Sequence, residues 1–134
     1  NSKPQVGFIS GMGLKRGAFA SSISHDSHNI IAVGCTDQDL MLAINELIKE
    51  KGGLTVNEEG KLHSLPLPIG GIISDKSGRE VADRYVKLNE MLLKMGTPLK
   101  SPFMTLSFMA LIVIPTLKIG EKGIFDFEKF DFVK

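Results

Sequence analysis

The sequence is short of most of the raw material of specialised chemistry. It holds one cysteine, Cys35, so neither an internal disulfide nor a multi-cysteine zinc cage can form within it. A lone thiol suits a reducing, cytoplasmic setting, and Cys35 reads as a small buried hydrophobe. Charge imbalance is also missing: 16 basic and 15 acidic residues, spread along the chain, leave a formal net charge of +1. With no basic face to neutralise a run of phosphates, nucleic acid is not an expected partner. There is no long hydrophobic run either. Residues 103–114 carry Thr105 and Ser107, are closed by Pro102 and Pro115, and fall well short of the roughly 20 apolar residues of a membrane span. Asn1-Ser2-Lys3-Pro4 lacks the apolar core of a signal. No membrane partner is expected.

What is present suffices for one compact domain over residues 1–134, since 43% of the residues are hydrophobic. Short β-forming stretches at 6–9, 18–24 and 30–35 are punctuated by the glycine-rich turn of residues 11–17 and predict three strands. Thr36 followed by Asp39 forms a loose capping box. Leu40, Ala43, Ile44, Leu47 and Ile48 then recur at helical spacing until Gly52-Gly53 ends the helix. Residues 54–56 and 61–65, joined by Asn57-Glu58-Glu59-Gly60, predict a hairpin. Ser77 and Glu80 supply a second capping box. Val81, Ala82, Tyr85, Leu88, Leu92 and Met95 line one face of the helix that follows, with Asp83/Lys87 and Glu90/Lys94 as i,i+4 pairs on the other. Residues 102–111 are apolar nearly all round and predict a helix buried on most sides, passing into an extended stretch at 112–119. Alternation of aromatic and acidic residues over 123–127 and 130–133 predicts strands that finish the sheet. The sum is a mixed α+β domain, with roughly three helices packed on an antiparallel or mixed β-sheet framework.

One segment has evident chemical content: Ser24, His25, Asp26, Ser27, His28 and Asn29, six polar residues between two apolar strands. Two imidazoles and a carboxylate are metal ligands or a proton shuttle in principle, with Asp26 orienting a histidine. In an extended segment His25 and His28 point to opposite faces, so both reach one centre only if the chain turns. Asp26, Ser27 and Asn29 all favour such a turn, and the plainer reading is a polar turn whose side chains cap their own backbone. Other motifs fail on spacing. Gly7, Gly11, Gly13 and Gly17 match neither nucleotide-binding fingerprint and read as a turn. Lys15 and Arg16 read as solvated bases, and His63 as a hairpin side chain. The nucleophile elbow of serine hydrolases and the H-x-E with P-C-x-x-C of zinc-dependent base deaminases are both absent.

Taken in order, Gly7-Phe8-Ile9, Gly13-Leu14-Lys15-Arg16-Gly17-Ala18, Ala20-Ser21-Ser22, His25-Asp26-Ser27-His28-Asn29-Ile30 and Val33-Gly34 resemble the adenine deaminase family. So do Leu65-Pro66-Leu67-Pro68-Ile69-Gly70-Gly71, Ser74-Asp75, Pro102-Phe103-Met104-Thr105-Leu106-Ser107-Phe108, Ile114-Pro115 and Phe130-Asp131-Phe132-Val133, so that the likeness spans essentially the whole chain. It is to the carboxy-terminal domain of that family. The resemblance implies hydrolytic deamination of adenine to hypoxanthine and ammonia in purine salvage, by an amidohydrolase-type enzyme with a binuclear manganese or iron centre. That centre belongs to a (β/α)₈ barrel of about 250 residues, more than this chain can hold. The resemblance therefore implies an accessory domain with no catalytic residue, metal ligand or cofactor of its own. Its partners would be its own amino-terminal barrel and, in the full-length enzyme, adenine. His25, Asp26, Ser27, His28 and Asn29 are the candidates for contact with substrate or active site.

The chain is also expected to begin inside the family domain, leaving a sheet edge open to self-association as a homo-oligomer. Two other classes compete with the accessory-domain reading: a free-standing small-molecule or metal-binding module built on the His25/Asp26/His28 turn, and an oligomerisation domain using the aromatic strands of residues 125–132.

Overall fold

A computed structural model describes residues 3–133. Its centre is strand β1 (Ala18–Ser21), which pairs antiparallel with β2 (Ile31–Gly34) on one side and β3 (Gly53–Glu58) on the other. Strand β4 (Lys61–Pro66) pairs with β3, giving the order β2-β1-β3-β4. Helix α1 (Asp37–Lys49) lies on one face of this sheet, and α2 (Gly78–Lys94) and α3 (Pro102–Met109) cover the other.

Burial on both faces explains why all four residues of β1 are buried instead of alternating. Ala18 and Ala20 point to α1, where they meet Ala43 and Leu47. Phe19 points the other way into the larger core of Leu54, Val56, Leu88, Leu92 and Phe103. Its ring meets Phe103 edge-on at 5.3 Å. The α1 side is built from small residues because the helix approaches closely. A Cβ on Gly34 would stand 2.6 Å from Ala18 Cβ and 3.1 Å from Leu40 Cγ, so that position requires glycine.

Local chemistry sets the element ends as the sequence implies. Thr36 Oγ1 accepts from the Asp39 N–H at 3.1 Å and donates to Asp39 Oδ2 at 2.7 Å, closing the first turn of α1. Ser77 Oγ accepts from the Glu80 N–H at 3.3 Å at the start of α2. Pro102 opens α3, where a missing N–H costs nothing. Asn57, fully buried on β3, donates from Nδ2 to Asp39 Oδ1 at 2.9 Å and accepts the Gly60 N–H at 2.9 Å, so one side chain ties the hairpin turn to the cap of α1.

Several expectations are corrected. Residues 6–9 form no strand: Val6 and Phe8 are exposed, and the segment runs past a separate small sheet, with Gly7 against Ile124. That sheet consists of β5 (Leu117–Gly120), β6 (Gly123–Asp126) and β7 (Asp131–Phe132), in the order β5-β6-β7. The aromatic strands thus pair with one another and do not finish the main sheet. Phe125 meets Phe130 and Phe132 edge-on at 5.5 and 5.2 Å, a satellite core that holds them there. Of the expected extended stretch 112–119 only residues 117–119 are strand, within β5; turns and bends precede them. Helix α3 is less enclosed than its composition implies, with Met104 and Phe108 exposed. The ion pair on α2 is Glu80–Arg84 at 3.4 Å, and neither Asp83/Lys87 nor Glu90/Lys94 meets among the described residues. Cys35 is exposed. It follows the end of β2, where its N–H is taken by Gly17 O and its thiol leans on Leu14 O at 3.4 Å.

Candidate functional site

The antiparallel registers bring the end of β1, the start of β2, the start of β3 and the end of β4 to one end of the main sheet. Residues 22–30 connect β1 to β2 across this end. His25, Asp26, Ser27, His28 and Asn29 are all exposed there, next to the buried Ser21, Ser22 and Ser24. The serines anchor the turn. Ser21 Oγ accepts the Ile23 N–H at 2.9 Å and lies 3.2 Å from Ile23 O, bending the chain as it leaves the strand.

Within the turn the two imidazoles have different jobs. His28 folds back so that Nδ1 accepts the Ser24 N–H at 3.1 Å, and the Asn29 N–H reaches Ser27 O at 2.8 Å. An Nδ1 that accepts places the proton of neutral imidazole on Nε2, so exposed His28 presents an N–H donor. His25 instead lies on Phe108 of α3, with ring centroids 4.1 Å apart and planes 29° apart. A stacked ring is held in orientation while its nitrogens stay available. The turn is therefore real, part of it caps its own backbone, and the two rings have separate partners. Neither ring donates a hydrogen bond to Asp26 or forms an ion pair with it among the described residues, so the expected orienting role of that carboxylate is not formed here.

The same end carries a second segment whose place the sequence does not reveal. Ser22 Oγ accepts the Gly53 N–H at 2.7 Å and donates to Gly71 O at 2.5 Å, fastening the turn of residues 67–75 beside the histidine turn. A Cβ on Gly52 would overlap Gly71, so the close approach depends on glycine. The exposed Ile69 and Ile73 of this segment, with Ile30, give the polar turn an apolar rim. Leu65-Pro66-Leu67-Pro68-Ile69-Gly70-Gly71 was the available signal, but nothing in it says where it docks.

Beside His25 a cleft of about 160 Å³ opens between β1, α2 and α3, walled by Ile23, Leu54, Phe103 and Met104. The remaining candidates are accounted for structurally. Gly11, Gly13 and Gly17 take positive φ in the turn before β1. Arg16 pairs with Glu58 at 2.6 Å across the sheet. His63 is exposed on edge strand β4. No three of His, Cys, Asp and Glu lie together as a metal-ligand group among the described residues, so the donor set of a binuclear centre is not met by them. No helix of the described residues is long and apolar enough to cross a membrane.

This geometry defines a class: a small α+β domain that displays a histidine-bearing turn at one end of its main sheet. The family model of the adenine deaminase C-terminal domain matches residues 1–131, and the chain belongs to that family. It is 58% identical over 130 residues to an adenine deaminase of Methanosarcina barkeri, covering 97% of this chain and 24% of that protein. It is 53% identical over 132 residues to one from Sulfurovum, and 47% identical over 134 residues to one from Borreliella burgdorferi. The chain thus spans about a quarter of the curated relatives it matches.

Proposed function

We propose that this chain serves as the accessory carboxy-terminal domain of an enzyme that hydrolyses adenine to hypoxanthine and ammonia in cytoplasmic purine salvage, and that its histidine turn is applied to an active site built by the preceding polypeptide. The observation that carries the reading is the display of residues 25–29: all exposed, at one end of the sheet, and held from beneath by buried serines. The relatives' additional length, about three times that of this chain, supplies room for a (β/α)₈ barrel. A binuclear manganese or iron centre, as the family resemblance implies, would belong to that barrel.

In this arrangement the domain contributes placement and hydrogen bonds. Replacing the amine at purine C6 requires a proton at the leaving nitrogen and an oriented ring. His28, with Nδ1 tied to the Ser24 N–H, offers Nε2–H as a donor. His25, stacked on Phe108, offers an imidazole in a fixed plane. Asp26, Ser27 and Asn29 supply further polar contacts around them, and the apolar rim of Ile30, Ile69 and Ile73 excludes water where the domain meets the barrel.

The test is kinetic. In a full-length adenine deaminase carrying this chain as its final domain, His25→Ala and His28→Ala are expected to lower kcat/KM at least tenfold, the order of one lost catalytic hydrogen bond. Unchanged kcat/KM in the double variant refutes the assignment of the turn to the active site.

A further inference from the structure

The exposed large apolar side chains of this domain are unevenly placed. Those on α1, α2 and β4 are single positions, which is ordinary for a protein surface. The rest fall in residues 6–9, at Ile30, in residues 69–73, along residues 104–113 and in the small sheet region of residues 117–133. These segments touch in series. Ser22 fastens residues 67–75 beside the histidine turn, His25 lies on Phe108 of α3, Ile112 beyond α3 lies against Gly120 of β5, and Gly7 lies against Ile119 and Ile124. The result is an apolar belt running from loop to turn, α3, small sheet and amino-terminal segment. Its middle is uncharged: no residue from Ser101 to Leu117 carries a charge, whereas α2 beside it carries charged residues from Arg79 to Lys94. Phe8 is fully exposed, and a phenylalanine presents about 200 Å². With Val6, Met104 and Val113, each more than half exposed, the belt reaches the several hundred Å² at which an apolar patch marks an interaction site.

We infer that this belt is the docking surface for the polypeptide that precedes residue 1 in the full-length protein, and that the outer faces of α1 and α2 stay in water. The inference rests on the reading of this chain as the final domain of a longer enzyme, and names the face by which it meets the remainder. Continuity selects the occupant. In the relatives the match is to a carboxy-terminal domain and covers about a quarter of the protein, so most of their polypeptide comes before it. That polypeptide reaches the domain through residues 3–9, a segment of the belt itself: Gly7 rests on the small sheet while its neighbours Val6 and Phe8 stand in solvent. A partner tethered there docks at high effective concentration, an advantage that a second copy lacks. The uncharged stretch from Ser101 to Leu117 calls for an apolar complement, because a charge brought against it would be buried unpaired. The histidine turn then faces the same body, since His25 and Phe108 form one stack.

The experiment uses a full-length adenine deaminase carrying this chain as its final domain, with the photo-cross-linking residue p-benzoylphenylalanine placed singly at Phe8, Met104 or Val86. Phe8 and Met104 belong to the belt and Val86 to α2; each is more than half exposed, so the fold tolerates the replacement. Irradiation is expected to join positions 8 and 104 to peptides that precede residue 1 of the same chain, giving products that keep the single-chain mass under denaturing conditions. Position 86 should yield no cross-link. A product of twice the chain mass from positions 8 and 104 would make the belt a contact between copies and overturn the assignment. No product from those two positions, or as much from position 86, would leave the belt in water and overturn it too. The readout is a cross-link and needs no turnover. Unchanged kcat/KM in the histidine variants would sink the active-site reading and leave the docking result standing, so the two fail separately.

Discussion

Ser22→Ala should be among the most costly single-atom deletions in this domain. The side chain is 8% exposed, and its oxygen accepts the Gly53 N–H at 2.7 Å while its proton goes to Gly71 O at 2.5 Å. Deleting the hydroxyl strands the Gly53 N–H at the buried first residue of β3, and an unsatisfied buried donor costs about 1–3 kcal/mol. Gly71 O lies in a partly exposed turn, where water replaces the lost donor at little cost. The sum is about 2 kcal/mol, carried almost entirely by Gly53. For a chain of this length that corresponds to a fall in Tm of about 6–10 °C, or a urea midpoint lower by about 1 M. Equilibrium urea unfolding followed by circular dichroism measures it. Ser24→Ala is the internal comparison: it deletes the same atom at a similarly buried site two residues on, but one without a partner, and should leave the midpoint nearly unmoved. If the two variants are equally stable, the hydroxyl at Ser22 is not fastening the two turns, and the account of this end of the sheet fails.

Two further expectations follow from the same reasoning. Gly17→Ala places a Cβ at φ +70° against Asn57 O and Met95 Cε, and should cost about 3 kcal/mol from left-handed strain plus overpacking; Gly11→Ala, at φ +86° in open space, should cost only about 1–2 kcal/mol, and equal urea midpoints for the two would contradict the packing described. Desolvation pushes the Asp126 carboxyl up but is outweighed by the backbone N–H groups of Lys129 and Glu128 and by the Lys129 ammonium at 3.3 Å, so its pKa is lowered on folding. A lowered carboxyl stabilises above its unfolded value of about 3.9 and loses that contribution as pH falls through the folded value, so Asp126→Asn should lower stability near neutrality and flatten the acid limb, its stability converging on that of the unsubstituted chain as pH falls below about 4.

What could be read from the sequence divides along a physical line. Both helix caps, Thr36 with Asp39 and Ser77 with Glu80, and the hairpin around Gly60 were legible because each is decided within four or five residues. The fold class followed from the same local signals. The partner of a strand is not a local property, and so residues 123–133 were expected in the main sheet although the Phe125 cluster keeps them apart. The candidate site shows the same divide. That residues 25–29 turn was foreseeable from Asp26, Ser27 and Asn29. That His25 rests on Phe108, and that Ser22 holds Gly71, depends on contacts between residues far apart in the chain, with no trace in the spacing of either. Cys35 misled because hydrophobic character predicts burial only on average. It sits where β2 gives way to the α1 cap, and desolvation of the sulfur, with the Asp39 carboxylate nearby, raises its thiol pKa without enclosing the residue.

The small sheet has a consequence for motion. Among the described residues its strands pair only with one another, its aromatic cluster is its own, and Ile119 packs it against the larger core. Such an arrangement gives a molecule two cooperative opening units of unequal free energy. Breathing of residues 117–132 breaks ladders that the rest of the molecule does not share. The loop that joins β1 to β2 is hung from the other unit, on the strand with both faces covered, so opening of the small sheet leaves its anchorage in place.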